Sequence, residues 1–159
     1  KKIQLAPAEV LQAAANYVDD LLDASKRAGT EMMLIGRRHI RSNNSWMHNS
    51  ERLVKGKNRC TAMVNPADAA RLNLQEGHSV RVRSRVGEII LSVEISEDVM
   101  PSVVSIPHGW GHDKSGIRLQ VAAAHAGVSC NDLTDEQWLD EPSGNAAVNG
   151  VPVTLIPVP

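Results

Sequence analysis

Val80-Arg81-Val82-Arg83-Ser84-Arg85-Val86-Gly87-Glu88-Ile89-Ile90-Leu91-Ser92-Val93-Glu94-Ile95 is the stretch that decides the fold class. Val80 and Val82 alternate with Arg81, Arg83 and Arg85. After Val86-Gly87, the residues Ile89, Leu91, Val93 and Ile95 alternate with Glu88, Ser92 and Glu94. Successive side chains on a strand point to opposite faces, so this is a hairpin with one buried aliphatic face. Its arginines sit on the solvent face, with Glu88 and Glu94 available across it.

Working outward, Val103-Val104-Ser105-Ile106 is a further short strand, and so are Met32-Met33-Leu34-Ile35, ending at Gly36, and residues 60–64. Residues 151–158 close the chain as a strand whose Pro152 and Pro157 suit a sheet edge or terminus. Asn65-Pro66-Ala67-Asp68 reads as a helix start, with an Asn cap, a first-turn Pro and an acid near the N-terminal end. Residues 7–28 read as a helix carrying Val10, Leu11, Ala14, Val18, Leu21 and Leu22 at helical spacing, with Lys26 and Arg27 in its last turn and Gly29 after it. Residues 107–116 are a Gly-rich loop, and residues 121–125 fit helix or strand. Thr134 before Asp135-Glu136 reads as the cap of another helix. No internal repeat is visible. The fold class is mainly β with peripheral helices, arranged as a barrel.

Composition supports this. Aromatics are only 3 % with no Phe, so the core of a chain that is 42 % hydrophobic is built from branched aliphatics, as suits sheets and barrels. At 159 residues one domain is expected, and residues 1–30 read as a linker with a helix ahead of a domain at 31–159. The start at Lys1, without Met or a signal pattern, suits a domain cut from a larger protein. Net charge is −1, which gives no global attraction to nucleic acid or membrane. Between Gly36 and Arg59, however, Arg37, Arg38, Arg41, Arg52, Lys55, Lys57 and Arg59 face the single acid Glu51, so a ligand there should be anionic. Cys60 and Cys130 make no C-x-x-C spacing, which argues against a metal cluster and mildly favours a reducing, cytoplasmic compartment. No apolar run approaches the roughly 18 residues needed for membrane insertion.

The loop Gly36-Arg37-Arg38-His39-Ile40-Arg41-Ser42-Asn43-Asn44-Ser45-Trp46-Met47-His48-Asn49 concentrates guanidinium, hydroxyl and amide donors where the backbone leaves a strand. Arg offers a planar fork to phosphate oxygens, and Ser and Asn add short neutral donors. The competing reading is a solvated polar loop with Trp46 plugged into the core. His108-Gly109-Trp110-Gly111-His112 is the second candidate. Its glycines argue against the helix that would place both histidines on one metal, and no third ligand has a motif spacing. Gly109, Gly111 and Gly116 miss the dinucleotide fingerprint, because Lys114 stands at its last Gly position. No nucleophile–base pair is present, so no catalytic residue and no metal ligand are assigned.

In order along the chain, Leu34-Ile35-Gly36-Arg37-Arg38, Ser42-Asn43-Asn44-Ser45-Trp46-Met47-His48-Asn49, Asn65-Pro66-Ala67-Asp68-Ala69, Glu76-Gly77-His78-Ser79-Val80, Pro107-His108-Gly109-Trp110-Gly111, Asn131-Asp132-Leu133-Thr134 and Asn149-Gly150-Val151-Pro152-Val153 together resemble one family. It is the C-terminal molybdopterin-guanine-dinucleotide-binding domain of the dimethyl-sulfoxide-reductase family, in its formate dehydrogenase and nitrate reductase branch. The resemblance covers about residues 31–159. It implies a double-psi β-barrel and a bis-molybdopterin guanine dinucleotide carrying molybdenum or tungsten, whose metal ligand belongs to a domain absent here. It implies cofactor contacts at Gly36, Arg37, Arg38, His39, Ser42, Asn43, Asn44, Ser45, Trp46, Met47, His48, His108, Asn131 and Asn149. The implied partners are the remaining domains of a parent oxidoreductase and iron–sulfur electron-transfer subunits. The alternative is a stand-alone barrel adaptor that binds an anionic partner such as RNA, although Trp46, Trp110, Trp138 and Tyr17 are few aromatics for stacking bases.

Overall fold

The structure, a computed structural model, describes residues 3, 5–24 and 31–159. Six strands close into a barrel: β1 (Glu31–Arg37), β2 (Thr61–Val64), β3 (Ser79–Arg83), β4 (Glu88–Ile95), β5 (Val103–Pro107) and β8 (Val151–Pro157). Around the barrel the order is β1-β5-β2-β4-β3-β8 and back to β1. β1 pairs with β5, and β2 with β4, in parallel. The other four neighbours are antiparallel. A separate two-stranded ribbon joins β6 (Leu139–Asp140) to β7 (Asn145–Ala146). The helices are α1 (Ala8–Ala24), α2 (Glu51–Val54), α3 (Pro66–Arg71) and α4 (Gln120–Ala124), with a 3-10 turn at Cys130–Leu133.

The alternation read from the hairpin places Val80, Val82, Ile89, Leu91 and Val93 in the core. Met32 and Leu34 join them from β1, Val104 and Ile106 from β5, and Val151, Val153 and Leu155 from β8. Leu133 of the 3-10 turn is also fully buried in this cluster. Neither Trp nor Tyr is among these buried residues, so the core is built from aliphatic side chains, Met and Cys. α3 starts where expected: Asn65 Oδ1 accepts from the Ala67 N–H at 2.9 Å, and Pro66 follows it. Asp68, in the first turn of α3, is 3 % exposed. It accepts from the Ser102 N–H at 2.6 Å and pairs with Arg71 at 2.7 Å, fastening α3 to the start of β5.

Several expectations are corrected. β1 runs through Gly36 to Arg37 instead of stopping at Gly36, because Gly36 and Arg37 remain in register with Ile106 and Pro107. Of the two readings of its prolines, edge or terminus, β8 is the terminal strand and no edge: it is bonded to β1 on one side and β3 on the other. Its prolines survive because each faces one registered neighbour only, Pro152 beside Met33 and Pro157 beside Val80. Of residues 121–125, left open between helix and strand, the first four resolve as helix in α4 and His125 caps its end. Thr134 ends the 3-10 turn, its Oγ1 donating to Asn131 O at 2.8 Å, and starts no helix. Arg81 and Arg83 pair with Glu88 as expected, whereas Arg85 pairs with Asp135 and Glu136. Glu94 turns instead to Arg37 and Thr61. Pro7 precedes α1, its carbonyl accepting from Val10 and Leu11. The expected helix end at Lys26, Arg27 and Gly29 lies outside the described residues.

The barrel also has a symmetry that the sequence does not display. Exchanging β1 with β4, β2 with β5 and β3 with β8 leaves every pairing and its direction unchanged. This internal two-fold, with its two interlocked parallel pairs, is the double-psi β-barrel.

The hairpin turn packs against the 3-10 turn so closely that a Cβ on Gly87 would lie 2.3 Å from the Asp132 carbonyl oxygen. Gly87→Ala is therefore expected to lower stability by about 1–3 kcal/mol through overpacking, as read from urea unfolding midpoints.

Candidate functional site

Because β1 and β5 run parallel, both deliver their following loops to the same end of the barrel. Gly36 lies beside Ile106 and Arg37 beside Pro107, and the His108 N–H donates to Arg37 O at 3.2 Å. A cavity of about 280 Å³ lies beside this exit. Leu34, Gly36 and Arg38 line it from β1 and the residue after it, and His108 from the loop after β5. Cys130, Asn131 and Thr134 come from the 3-10 turn, and Val148 and Asn149 from the approach to β8.

Gly36, Arg38, His108, Asn131 and Asn149 are thus brought together from separated parts of the sequence. Asn149 Oδ1 accepts from the Gly36 N–H at 2.7 Å, and the Gly150 N–H donates to Leu34 O at 2.8 Å, zipping this loop onto β1. With Oδ1 so engaged, Nδ2 is the group of Asn149 left to donate. His108 Nε2 is buried without a partner among the described residues. Asn131 is exposed, and its side chain meets only a long contact from Cys130 Sγ at 3.9 Å among the described residues.

The loop after β1 is compact. Asn43 and Asn44 adopt left-handed φ values of 41° and 61°, which Asn tolerates better than most residues. Arg38 Nη1 donates to Asn44 Oδ1 at 2.6 Å. Gly109, at φ 86°, lies against the same residue, and a Cβ there would come within 2.1 Å of Asn44 O. Only glycine meets both demands. Ser42 is buried and donates to His39 O at 2.9 Å, and His48 is buried as well. Asn43, Asn44, Ser45, Trp46 and Met47 are exposed. Trp46, at 83 %, does not plug the core.

Arg37 and Arg38 are neighbours with different environments. Arg37 Nη1 donates to Ser105 O at 2.6 Å. Its Nη2 donates to Thr61 Oγ1 at 2.6 Å and reaches Arg59 O and Glu94 Oε2 at 3.4 Å. Burial pulls the Arg37 pKa below its ordinary value, and Glu94 opposes that shift. Arg37 does not line the cavity; it ties the end of β1 to β5, β2 and β4. His39 accepts from the Arg41 N–H at 3.2 Å, and burial together with Arg59, Arg37 and Arg41 lowers its pKa. Burial raises both thiols, Cys60 and Cys130, above their ordinary value, so neither is poised as a nucleophile. Among the described residues no cluster of three or more His, Cys, Asp or Glu could hold a metal ion, and no helix is long and apolar enough to cross a membrane.

The sequence reading misses Leu34, Cys130, Thr134 and Val148 as cavity walls. Cys130 and Val148 adjoin the candidates Asn131 and Asn149, which is a usable signal. Leu34 reads only as core.

The family model described as the molydopterin dinucleotide binding domain matches residues 32–152. The chain belongs to this family. It is 30 % identical over 109 residues to a tetrathionate reductase polypeptide of Salmonella typhimurium, a match spanning 58 % of this chain and 11 % of that protein. It is 30 % identical over 115 residues to the arsenate respiratory reductase molybdopterin-containing subunit of Chrysiogenes arsenatis, spanning 69 % of this chain and 13 % of the relative. The chain therefore spans little more than a tenth of these relatives. Among solved structures, acetylene hydratase from Pelobacter acetylenicus superposes with a TM-score of 0.67 at 19 % identity, over 89 % of this chain and 20 % of the hydratase, which shows the shared fold.

The Gly36–Asn149 bond makes a direct test possible. Asn149→Ala should speed hydrogen exchange at the Gly36 amide, whereas Asn149→Asp, which keeps an acceptor oxygen, should hold it. The bond is worth about 1 kcal/mol, a several-fold change in exchange by NMR.

Proposed function

We propose that this domain forms one wall of the site that holds bis-molybdopterin guanine dinucleotide, carrying molybdenum or tungsten, in a larger oxidoreductase. The observation that carries this reading is the convergence of Arg38, His108, Asn131 and Asn149 on one cavity in a chain of this family. The donor set suits the cofactor. A guanidinium matches phosphate oxygens, and amides match ring edges that both donate and accept. The buried, unpartnered His108 Nε2 is a polar atom that a bound ring edge would satisfy. At about 280 Å³ the cavity falls just below the usual range for a small-molecule site, as suits one wall of a larger cleft. When bound, the cofactor supplies the metal at which redox chemistry takes place, and its metal ligand comes from outside this domain.

Within this reading, Arg38 holds phosphate, Asn131, Asn149 and His108 hold a ring edge, and Gly36 lets the ligand approach the backbone. The exposed tip of Asn43, Ser45, Trp46 and Met47 extends the wall. Arg37, His39, Ser42 and His48 support it from behind. Residues 1–30 serve as a linker to the remaining domains. Iron–sulfur electron-transfer partners and a cytoplasmic location belong to the same proposal. The formate dehydrogenase-like branch rests on motif resemblance, while the relatives named above are reductases of tetrathionate and arsenate. Dye-linked assays of the parent enzyme with formate, tetrathionate and arsenate decide between these substrates.

Two substitutions separate holding the cofactor from holding the fold. Arg38→Ala is expected to lower molybdopterin content of the parent enzyme with little change in melting, since a charge-assisted bond to phosphate is worth about 1.5–3 kcal/mol and an exposed Arg adds little stability. Arg37→Ala should instead destabilise the domain by about 2–3 kcal/mol, because buried acceptors lose their donor. Equal cofactor content in Arg38→Ala and wild type would count against phosphate contact there.

A second test uses Asn131. Asn131→Asp is expected to leave the melting of this chain nearly unchanged, because the side chain is exposed and weakly engaged. It should cut cofactor occupancy of the parent, because a carboxylate cannot donate to a ring acceptor. A large drop in melting with full occupancy would make Asn131 structural.

A further inference from the structure

The two loops bordering the cavity are joined at one more place. His48, 2 % exposed, sits in the loop after β1 against two rings of the loop after β5. Its ring centroid is 4.3 Å from that of Trp110 and 4.7 Å from that of His112, the latter perpendicular to it. His48 Nδ1 and His112 Nε2 are 2.5 Å apart. Each end is tied onward. Asn49 Oδ1 accepts from the Val121 and Ala122 N–H groups at the start of α4. The Gly111 and His112 N–H groups both donate to Ala126 O. Gly111 packs so tightly on Ser129 that a Cβ would meet Ser129 Cβ at 2.8 Å, two residues before Asn131. A continuous line of contacts therefore runs from the Arg38 loop, through the two histidines, to the 3-10 turn.

Two imidazole nitrogens that face each other this closely hold one proton between them, one ring donating and the other accepting. The remaining nitrogen of His48, Nε2, is buried with no partner among the described residues, so a proton added there finds no acceptor among them. His112 meets His48 from the loop after β5, while His39, Arg41 and Arg59 line a small pocket with His48 in which, among the described residues, there is no carboxylate. Burial, then His112, then His39 push His48 down to about 4 from its ordinary 6.5.

We propose that His48 and His112 are positioning residues that act as a latch: with His48 neutral, their contact fastens the loop bearing Arg38 to the loop bearing His108, and protonation of the buried His48 unfastens both. The cofactor reading matters to this latch only for what the loops hold. Between the folded and unfolded pKa values of His48 the unfolded state carries more protons. The contribution of the latch is therefore full above pH about 6.5, declines as pH falls, and is gone below about 4.

The test is amide hydrogen exchange by mass spectrometry on the full 159-residue chain, corrected for the pH dependence of exchange itself. At pH 7, His48→Phe keeps a ring against Trp110 but lacks the nitrogen. It should speed exchange in residues 39–49 and 108–112 by about tenfold, as local opening would, with β1 and β5 still protected. His48→Asn, with a polar atom near the place of Nδ1, should hold both loops. If His48→Phe does not fold, His112→Phe, at a half-buried position, poses the same question. The wild type should loosen in both loops together as pH falls from about 6.5 to about 4, and His48→Asn should lack that step. Unchanged loops in the Phe variants overturn the proposal, and so does an acid step that persists in His48→Asn. No cofactor enters this measurement, so its failure is distinct from that of the cofactor reading, which fails if Arg38→Ala retains its molybdopterin.

Discussion

The guanidinium of Arg37 is a cation drawn into the end of a barrel, and the geometry of the site depends on what satisfies it there. Ser105 O, Thr61 Oγ1 and Glu94 bind it from β5, β2 and β4, so the last residue of β1 is held from three directions. A buried cation without such partners would cost several kcal/mol. With them, the point where the chain leaves the barrel is fixed. Arg38, one residue on, inherits that fixed point and is free to face the cavity. His108 leaves β5 alongside, its N–H on Arg37 O, and inherits the same position. The rigid part of the wall is therefore strand-borne, and the adaptable part begins one residue later.

That arrangement also explains which features are legible in the sequence. The hairpin is readable because alternation reports which face is buried, and Val80, Val82, Ile89, Leu91 and Val93 obey it. The Asn65 cap is readable because Asn, Pro and Asp in that order satisfy local backbone groups with local atoms. Thr134 misleads because the same local chemistry serves either end of a turn, and Leu133, pulled into the core, settles which. Pro152 and Pro157 suggest an edge because proline lacks a donor. The barrel instead places each where only one neighbour is in register. The internal two-fold is invisible because it is a symmetry of pairing, and pairing constrains residue type only to apolar or polar.

The candidate site is legible as a set of residues and illegible as a geometry. Composition groups Arg37 with Arg38, since both are guanidinium donors at a strand end. What separates them is which barrel acceptors lie within reach of each side chain, and sequence does not show that. Asn149 enters on resemblance alone. Its bond to Gly36, 113 residues away, supplies the physical reason for an Asn there: one amide can both accept from the backbone and keep a donor free. Val148 and Cys130 become walls by adjacency to such residues, which is a property of the fold and not of their chemistry.

A wall built this way has a weakness, because its cavity-facing atoms sit largely on loops while its rigidity sits in strands. Loops open locally at far lower cost than barrel strands do. The structure counters this by joining the two loops to each other at two points as well as to the barrel. Gly109 seats on the Asn44 carbonyl, a contact that only a residue without a Cβ allows. His48 meets His112, a contact that needs two polar rings and one shared proton. The first is a matter of shape and is insensitive to conditions; the second is a matter of protonation and is not. The spacing of Arg38 from His108 therefore depends both on a glycine, which fixes how near the loops come, and on the contact of His48 with His112, which holds them there. Neither residue type would be chosen for stability alone. Glycine costs backbone entropy, and a buried imidazole leaves a nitrogen unpaired. Their presence together at one loop junction fits a fold that trades some stability for a fixed distance across a cavity.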